Sequence, residues 1–406
     1  MQYDVFFSIC QTPVDGHCPS EQQMFAHFFD QVRAADELGF GVAWVAESHL
    51  SSQVQKRTRQ PVIPHWDGEV GLNVDFLQLA NHVFRRTERI EVGSAIMNIL
   101  CNGGPVAAAE RVAAFAALHG VDPEESRRLH VGFAAGRFDF MNRAYGVGPR
   151  NAIEAAAWPA LKGQVFRQAA QVFTRLLRGD ELASDALAPI VVKPGQFRKE
   201  SDWDKVRAAA GDVEQLEIPP FYDFELLKVV PQDWRRELVQ LVVGSHDATI
   251  QAEVNEVLPV QVFNLSITQP DVIEATHERM RAAYHADGGP WQRDCMPRTV
   301  FVFLNEQPGL SSEERNRAAH EEARKALGAY WNAMTGTIDP AKVEKAADNA
   351  LIGDAEAVAR QAAERFHSDD RLMLWFDFFN HDNDRVIANM TAWSERVAPQ
   401  IAALQA

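Results

Sequence analysis

A chain of 406 residues that is 46% hydrophobic and 24% charged can bury a large core and lies outside the composition of disordered proteins. Its formal net charge of −16 denies it the basic face that nucleic acid or an anionic membrane would need, so neither is expected as a partner. The four cysteines, Cys10, Cys18, Cys101 and Cys295, form no CxxC pair, which argues against a zinc ribbon or redox motif and suits a reducing compartment.

The chain opens on Met1-Gln2-Tyr3-Asp4 with no basic leader, and its first apolar run, Val5 to Cys10, is too short for a signal peptide. No stretch approaches the roughly 18 apolar residues of a membrane span. A soluble, cytoplasmic protein is the expectation. Val5–Ile9 reads as a first strand. From about Glu21 to Leu38, Phe25, Phe28, Phe29, Val32, Ala35 and Leu38 recur at helical spacing, and Gly39 fits a left-handed cap. Val42–Ala46 is apolar on both faces, as a parallel strand buried under helices would be. A helix is expected around Val74–Arg86. Ile90–Ile99 reads as the third strand, ahead of a helix opened by Gly104-Pro105, where proline suits the first turn. Leu129–Ala134 comes next, then a long helix from Asn151 towards Leu177. Apolar runs at Leu238–Val243, Val260–Leu265, Thr299–Leu304 and Leu372–Phe376 each have a helical segment behind them.

This series of βα units predicts an α/β fold, a closed (β/α)8 TIM barrel whose strand C-termini share one mouth. Insertions are expected after the fourth and seventh βα units. The first is a polar stretch at about 179–222 carrying Pro189, Pro194, Pro219 and Pro220. The second is a flexible-looking connection at about 328–351 that contains Thr335-Gly336-Thr337-Ile338-Asp339-Pro340. Residues 1–406 are expected to form a single domain. Long loops of this kind are more often lids or interface elements than accidents.

Polar groups at the C-terminal end of a buried strand are where α/β proteins place ligands and chemistry. Glu47-Ser48-His49 supplies a carboxylate, a hydroxyl and an imidazole there, able to orient a cofactor or move a proton. The plain alternative is a polar junction between strand and loop. Gly93-Ser94-Ala95-Ile96-Met97-Asn98 would admit a flat ligand, although barrel packing is the preferred explanation of its small residues. Arg128 to Phe140, with Tyr145-Gly146-Val147, suggests a tight turn near a ligand walled by aromatic rings. Arg150, just ahead of a helix, could contact a phosphate, although a lone arginine there is more often a surface residue. Ser245-His246-Asp247 starts a helix with Ser245 as an N-cap candidate, and a helix N-terminus at that place can also bind phosphate. His381-Asp382-Asn383-Asp384 has the look of metal ligands, but capping of the last helix is the simpler assignment. HxH, HExxH, GxSxG and Walker patterns are absent, and no metal site is expected.

Together, several of these segments resemble the bacterial-luciferase-like flavin monooxygenase family. They are Gly39-Phe40 with Trp44-Val45-Ala46-Glu47-Ser48-His49, then Val92-Gly93-Ser94-Ala95, then Arg128 to Gly136 with Tyr145-Gly146. The tail adds Leu351-Ile352-Gly353-Asp354-Ala355-Glu356-Ala357-Val358 and a closing helix ending in Ala398-Pro399. The set recurs in family order, and only Gly179 to Tyr222 looks unlike the rest.

The resemblance implies a barrel, usually a homodimer, that binds reduced flavin mononucleotide (FMN, as FMNH2) at the strand C-termini. There the flavin meets O2 and oxygenates a small organic substrate, a separate flavin reductase being the implied partner. Carried over residue by residue, Glu47 matches a carboxylate near the flavin. Ala95 and Ile96 match a pair that packs the ring, often through a non-prolyl cis peptide. Ala134 sits where luciferase has a cysteine, and Arg150 and Ser245 match phosphate contacts. Two departures stand out: Ser48 replaces the first histidine of luciferase's Glu-His-His, and Ala135 replaces a phosphate-contacting arginine. Light emission from a long-chain aldehyde is therefore not expected. Either His49 or Ser48 takes over proton handling, or the reaction needs none there. The rival readings are hydride transfer with the deazaflavin F420 in the same barrel and a non-catalytic flavin-binding homologue. A glycosidase ranks last, because Glu47 has no evident carboxylate partner.

Overall fold

Parallel pairing of short apolar strands organises the computed structural model, which describes residues 1–406 apart from 198, 265–267 and 337–338. The strands are β1 (Gln2–Phe7), β2 (Val42–Val45), β3 (Glu91–Ser94), β4 (Met97–Asn98), β5 (Leu129–Ala134), β6 (Ile190–Val192) and β7 (Leu216–Ile218). They continue with β8 (Val239–Val243), β9 (Val260–Val262), β10 (Arg298–Leu304), β11 (Leu351–Gly353) and β12 (Arg371–Trp375). Nine of them form a curled parallel sheet in the order β11-β10-β12-β1-β2-β3-β5-β8-β9, and β4 pairs with β5 off this path. Just past β9, Asn264 makes a parallel bridge to Arg298 at the start of β10. Asn264 N donates to Pro297 O at 3.0 Å and Thr299 N to Asn264 O at 3.1 Å. The curl thus brings its two flanks into contact.

Most of the expected runs are strands at or within a residue or two of their expected ends. Ile90–Ile99 departs from expectation. It divides into β3, which pairs with both β2 and β5, and β4, which pairs with β5, and the Ala95–Ile96 peptide bond between them is cis. The run read as Val260–Leu265 is paired over Val260–Val262 and at Asn264, while Leu265 lies outside the described residues.

Caps fix the helices. Helix Glu21–Glu37 begins on a reciprocal Ser20–Gln23 capping box and ends at Leu38, with Gly39 at φ 82°. Asn151 Oδ1 accepts from Glu154 N at 2.9 Å to start the long helix Ala152–Arg178. Asp382 Oδ1 accepts from Arg385 N at 3.1 Å, so the His381–Asp384 cluster caps helix Asn383–Ala392, which leads into the closing helical run. Among the described residues no group of His, Cys, Asp or Glu is gathered as a metal site, and no helix is long and apolar enough to cross a membrane. The stretch expected as an excursion at 179–222 holds the antiparallel pair β6–β7 and helix Glu200–Ala210, both packed on the long helix. Helices Ser312–Thr335 and Pro340–Asp348 occupy most of 328–351, and Thr337 and Ile338 lie outside the described residues.

Alternation along the strands sorts side chains into two layers. Phe6, Val42, Trp44, Val242, Phe263 and Met373 fill the inside of the curl. Their neighbours Val5, Phe7, Ala43, Val45, Phe133 and Leu374 face the helices. The N-terminal end of the interior is polar. Asp4 Oδ2 accepts from the Trp44 indole at 2.7 Å and from Arg371 Nε at 2.6 Å.

Nearby, burial pushes the Glu91 carboxyl up, but hydrogen bonds from His130 at 2.6 Å and Arg128 at 3.0 Å outweigh it and hold it down at about 2. Burial keeps His130 neutral, so its Nε2–H donates. A carboxylate lowered in this way adds stability above its unfolded pKa, and that stability is lost as pH falls through the folded value. Glu91→Gln should therefore flatten the acid limb of stability between 4.5 and about 2. Urea midpoints measured across that range test this, and parallel wild-type and variant curves would contradict it.

Candidate functional site

Glu47, two residues past β2, is buried with His49, and Oε1 lies 3.0 Å from His49 Nε2 with neither side chain more than 3% exposed. The same Oε1 accepts from Asn98 N at 3.0 Å, and Oε2 accepts from Phe76 N at 3.2 Å. Phe76 opens helix Phe76–Phe84, whose N-terminal end favours a carboxylate. Glu47 therefore ties the end of β2 to β4 and to a helix start. The His49 ring meets Tyr145 edge-on at 5.8 Å. Ser48 turns elsewhere: its N–H donates to Asn73 O at 2.9 Å and its side chain lies beside Gly71. Of the expected triplet, the structure pairs Glu47 with His49 and leaves Ser48 outside that pair.

From Glu47 a chain of hydrogen bonds runs on. Asn98 Nδ2 donates to Asn142 Oδ1 at 2.8 Å, Asn98 Oδ1 accepts from Leu100 N at 3.0 Å, and Asn142 Nδ2 donates to Ala135 O at 2.9 Å. Both asparagines are buried and satisfied in several directions, so they set backbone positions rather than wait for a ligand. Gly136, at φ +70°, makes room for this network, because a Cβ there would stand 2.2 Å from Asn98 Nδ2. Burial, helped by the Glu47 charge, pushes the Cys101 thiol beside these asparagines up to about 12, and it stays protonated.

Ala95, Ile96 and Ala134 are partly exposed among buried neighbours. Gly244, directly after β8, sits against two of them: a Cβ there would meet Ile96 Cδ1 at 2.3 Å and Ala134 Cβ at 3.2 Å. The start of β4 and the ends of β5 and β8 thus converge, and Ser245 comes next. It lines a cavity of about 240 Å³ together with Ala135, Gly136, Arg137, Trp158 and Lys162. Lys162 Nζ lies 3.6 Å from Asp139 Oδ2 with both partners well exposed, and Arg137 Nη1 donates to Tyr330 OH at 3.2 Å. Asp139 and Asp247 also line the cavity.

One expectation needs correction. Ser245 is not the N-cap of helix Ala248–Asn255. Asp247 is, accepting from Thr249 N at 2.8 Å, while Ser245 Oγ, two residues earlier, accepts from Asp247 N at 3.2 Å. Arg150 does not line the cavity that holds Ser245. Its Nε donates to Glu154 Oε1 at 2.9 Å, Nη1 to Pro220 O at 3.1 Å and Nη2 to Pro219 O at 3.2 Å, and its guanidinium lies 4.9 Å from the Phe221 ring centre. These contacts clamp the 219–221 stretch.

Asn98, Asn142, Arg137 and Lys162 were not singled out from the sequence. A signal existed for Lys162: Trp158, Lys162 and Phe166 recur every four residues and share one helix face, and all three line the cavity. The loop that carries Trp66 meets the helix Ser312–Thr335 and the segment after β12. Trp66 packs with Tyr330 and Phe379 at 6.3 and 6.0 Å, in one apolar cluster with Cys101, Phe138, Met141 and Ala333.

A family model described as luciferase-like monooxygenase matches residues 1–212. No curated protein matches the chain. Among solved structures, monooxygenase RslO1 from Streptomyces bottropensis is similar at TM-score 0.66 and 15% identity over 98% of this chain and 99% of that one. The oxygenating constituent of 3,6-diketocamphane monooxygenase from Pseudomonas putida, solved in complex with FMN, gives 0.58 and 14% over 99% and 98%. An F420-dependent secondary alcohol dehydrogenase in complex with an F420–acetone adduct gives 0.56 and 15% over 98% of each chain. At this level of identity the likenesses speak to the fold.

Proposed function

This chain belongs to the luciferase-like monooxygenase family, and on that premise we propose that it is a two-component enzyme that takes reduced FMN from a separate reductase and uses O2 to oxygenate a small organic substrate. The whole chain, 1–406, would act as one (β/α)8 domain, a reading supported by the Asn264–Arg298 bridge across the curled sheet. A cytoplasmic homodimer is part of the proposal, and its mass in solution tests the assembly.

The observation that carries the proposal is the hydrogen-bonded chain Glu47–Asn98–Asn142–Ala135. It joins the Ala95–Ile96 segment to a cavity with two cationic side chains and a hydroxyl on its wall. A volume of about 240 Å³ falls at the small end of ligand pockets, which suits the phosphorylated tail of a flavin more than the whole molecule. In this proposal Ser245, Lys162 and Arg137 hold the phosphate, Ala95, Ile96 and Ala134 pack the ring, and Glu47 keeps that segment in place. His49, paired with Glu47, would handle a proton beside the ring. The bound flavin would supply the redox chemistry.

Lys162→Ala should weaken reduced-FMN affinity about fivefold, the modest effect proper to a half-exposed charge. Arg150→Ala should leave that affinity within roughly twofold, because the guanidinium is engaged elsewhere. Anaerobic fluorescence titration measures both. The reverse ranking would restore Arg150 to the phosphate and remove Lys162.

The fold likeness to the F420-dependent enzyme supports a second reading, hydride transfer with F420 in the same site. Titrating the pure protein with reduced FMN and with F420, then admitting O2, separates the two. Preference for F420 with no oxygen uptake would end the monooxygenase proposal.

A further inference from the structure

Ser245 follows Gly244 off the end of β8 and lines the cavity that also carries Lys162 and Arg137. A serine hydroxyl can donate or accept, and its role toward a ligand depends on what already occupies it. Ser245 Oγ accepts from Asp247 N at 3.2 Å, so among the described residues it is the O–H that has no partner. The Ser245 carbonyl is held as well, because Gln251 Nε2 donates to it at 2.7 Å. Gln251 lies in helix Ala248–Asn255 and is only 1% exposed. Its Oε1 accepts from Arg279 Nη2 at 2.6 Å, and Arg279 comes from the neighbouring helix Pro270–Ala283. A guanidinium only donates, so the Gln251 oxygen must face Arg279 and its NH2 must face Ser245. The buried amide therefore cannot turn over, and the chain Arg279–Gln251–Ser245 has one direction. Asp247 also borders the cavity, but its Oδ1 accepts from Thr249 N and Ile250 N at 2.8 and 3.4 Å.

We propose that Gln251, oriented by Arg279, is a positioning residue that makes Ser245 a hydrogen-bond donor to a phosphate monoester in this cavity. With the carbonyl pinned and Oγ already accepting from Asp247, the hydroxyl hydrogen is what the turn offers a ligand. The partner that satisfies a free donor best is an anionic oxygen. Lys162 and Arg137 bring the charge, and Ser245 adds a directed bond beside them. Released from Gln251, the 244–247 turn would be free to present the Ser245 carbonyl instead, an acceptor that repels a phosphate oxygen. Gly244 carries the same turn to the segment proposed to pack the ring, since it stands against Ile96 and Ala134. One buried amide thus sets the register between the two ends of the ligand.

The inference rests on the flavin site proposed above, and its test separates the two. Reduced FMN and reduced riboflavin share the ring and ribityl chain and differ in the phosphate alone, so their anaerobic affinities are compared in each protein. Gln251→Leu should weaken reduced FMN about tenfold and leave reduced riboflavin within about twofold. Gln251→Glu keeps the Arg279 contact but turns a second acceptor onto the Ser245 carbonyl, and it should lose as much. Arg279→Lys, which still donates, should retain most of the preference for FMN, and Arg279→Met should not. Combining Gln251→Leu with Ser245→Ala should be no worse than Ser245→Ala alone, because both act through one hydroxyl. A wild type that prefers FMN together with a Gln251→Leu variant that keeps the preference would overturn the proposal, as would equal losses for the two flavins, the mark of a general packing defect. A wild type that binds both flavins equally would count against the phosphate assignment itself. The crystal structure of cofactor-free Gln251→Leu then decides for Gln251: the Ser245 carbonyl and hydroxyl should leave their places, and an unmoved 244–247 turn would overturn the proposal.

Discussion

Asp4→Ala should cost about 3–5 kcal/mol of stability. Asp4 and Arg371 lie side by side on neighbouring strands with 1% and 7% of their side chains exposed. Arg371 Nε and Nη2 donate to the two Asp4 oxygens at 2.6 and 3.3 Å. Val42 N and the Trp44 indole take the remaining acceptor capacity at 3.0 and 2.7 Å. Removing Asp4 leaves a buried guanidinium without its counter-charge and strands two buried N–H donors as well. Burial opposes the Arg371 charge, and the proximity of Asp4, with smaller help from Glu91 and Asp294, outweighs it. Urea unfolding measures the loss. Adding Arg371→Met to Asp4→Ala should recover part of it, since no orphaned charge then remains. A single variant within about 1 kcal/mol of wild type would show that water reaches the floor of the sheet.

Much of this architecture was legible because parallel strands under helices are apolar on both faces. Val42–Val45, Leu129–Ala134 and Val239–Val243 announce themselves by that pattern, and Gly39 announces the helix stop. The division of Ile90–Ile99 into β3 and β4 was not legible, because apolar residues continue through Ala95 and Ile96 while the ladder to β2 stops at Ser94 and pairing with β5 resumes at Met97. Ser245 and Asp247 are both competent caps two residues apart. Which of them caps depends on how far the chain must turn after β8, and residue type does not carry that information.

The site was legible in part. A titratable group at a strand end pointed to Glu47 and His49, and the two do meet. Arg150 carried a second signal in the sequence. Glu154 stands four residues on, the spacing of a helical ion pair, and that partner was visible from the start. Asn98 and Asn142 are uncharged and 44 residues apart, so only the fold brings them together.

Glu47→Gln should cut flavin-dependent turnover by at least about tenfold, with a loss of about 1–3 kcal/mol of stability, because an amide cannot satisfy the three donors around Glu47. Oε1 faces Asn98 N–H and His49, and Oε2 faces Phe76 N–H. Whichever atom becomes the NH2 then points at a backbone N–H, and one buried donor goes unpaired. If the NH2 takes the Oε1 place, the Asn98 amide is released and the Ala95–Ile96 segment loses its anchor. If it takes the Oε2 place, the start of helix Phe76–Phe84 is released instead. Glu47→Asp keeps the charge but shortens the reach, so it should hold the helix start or Asn98 but not both. Glu47 is thus a positioning residue, and its signature would be a fall in kcat larger than the change in reduced-FMN affinity. Equal falls in both would mean that Glu47 touches the cofactor directly. Wild-type turnover and binding in Glu47→Gln would remove it from the site.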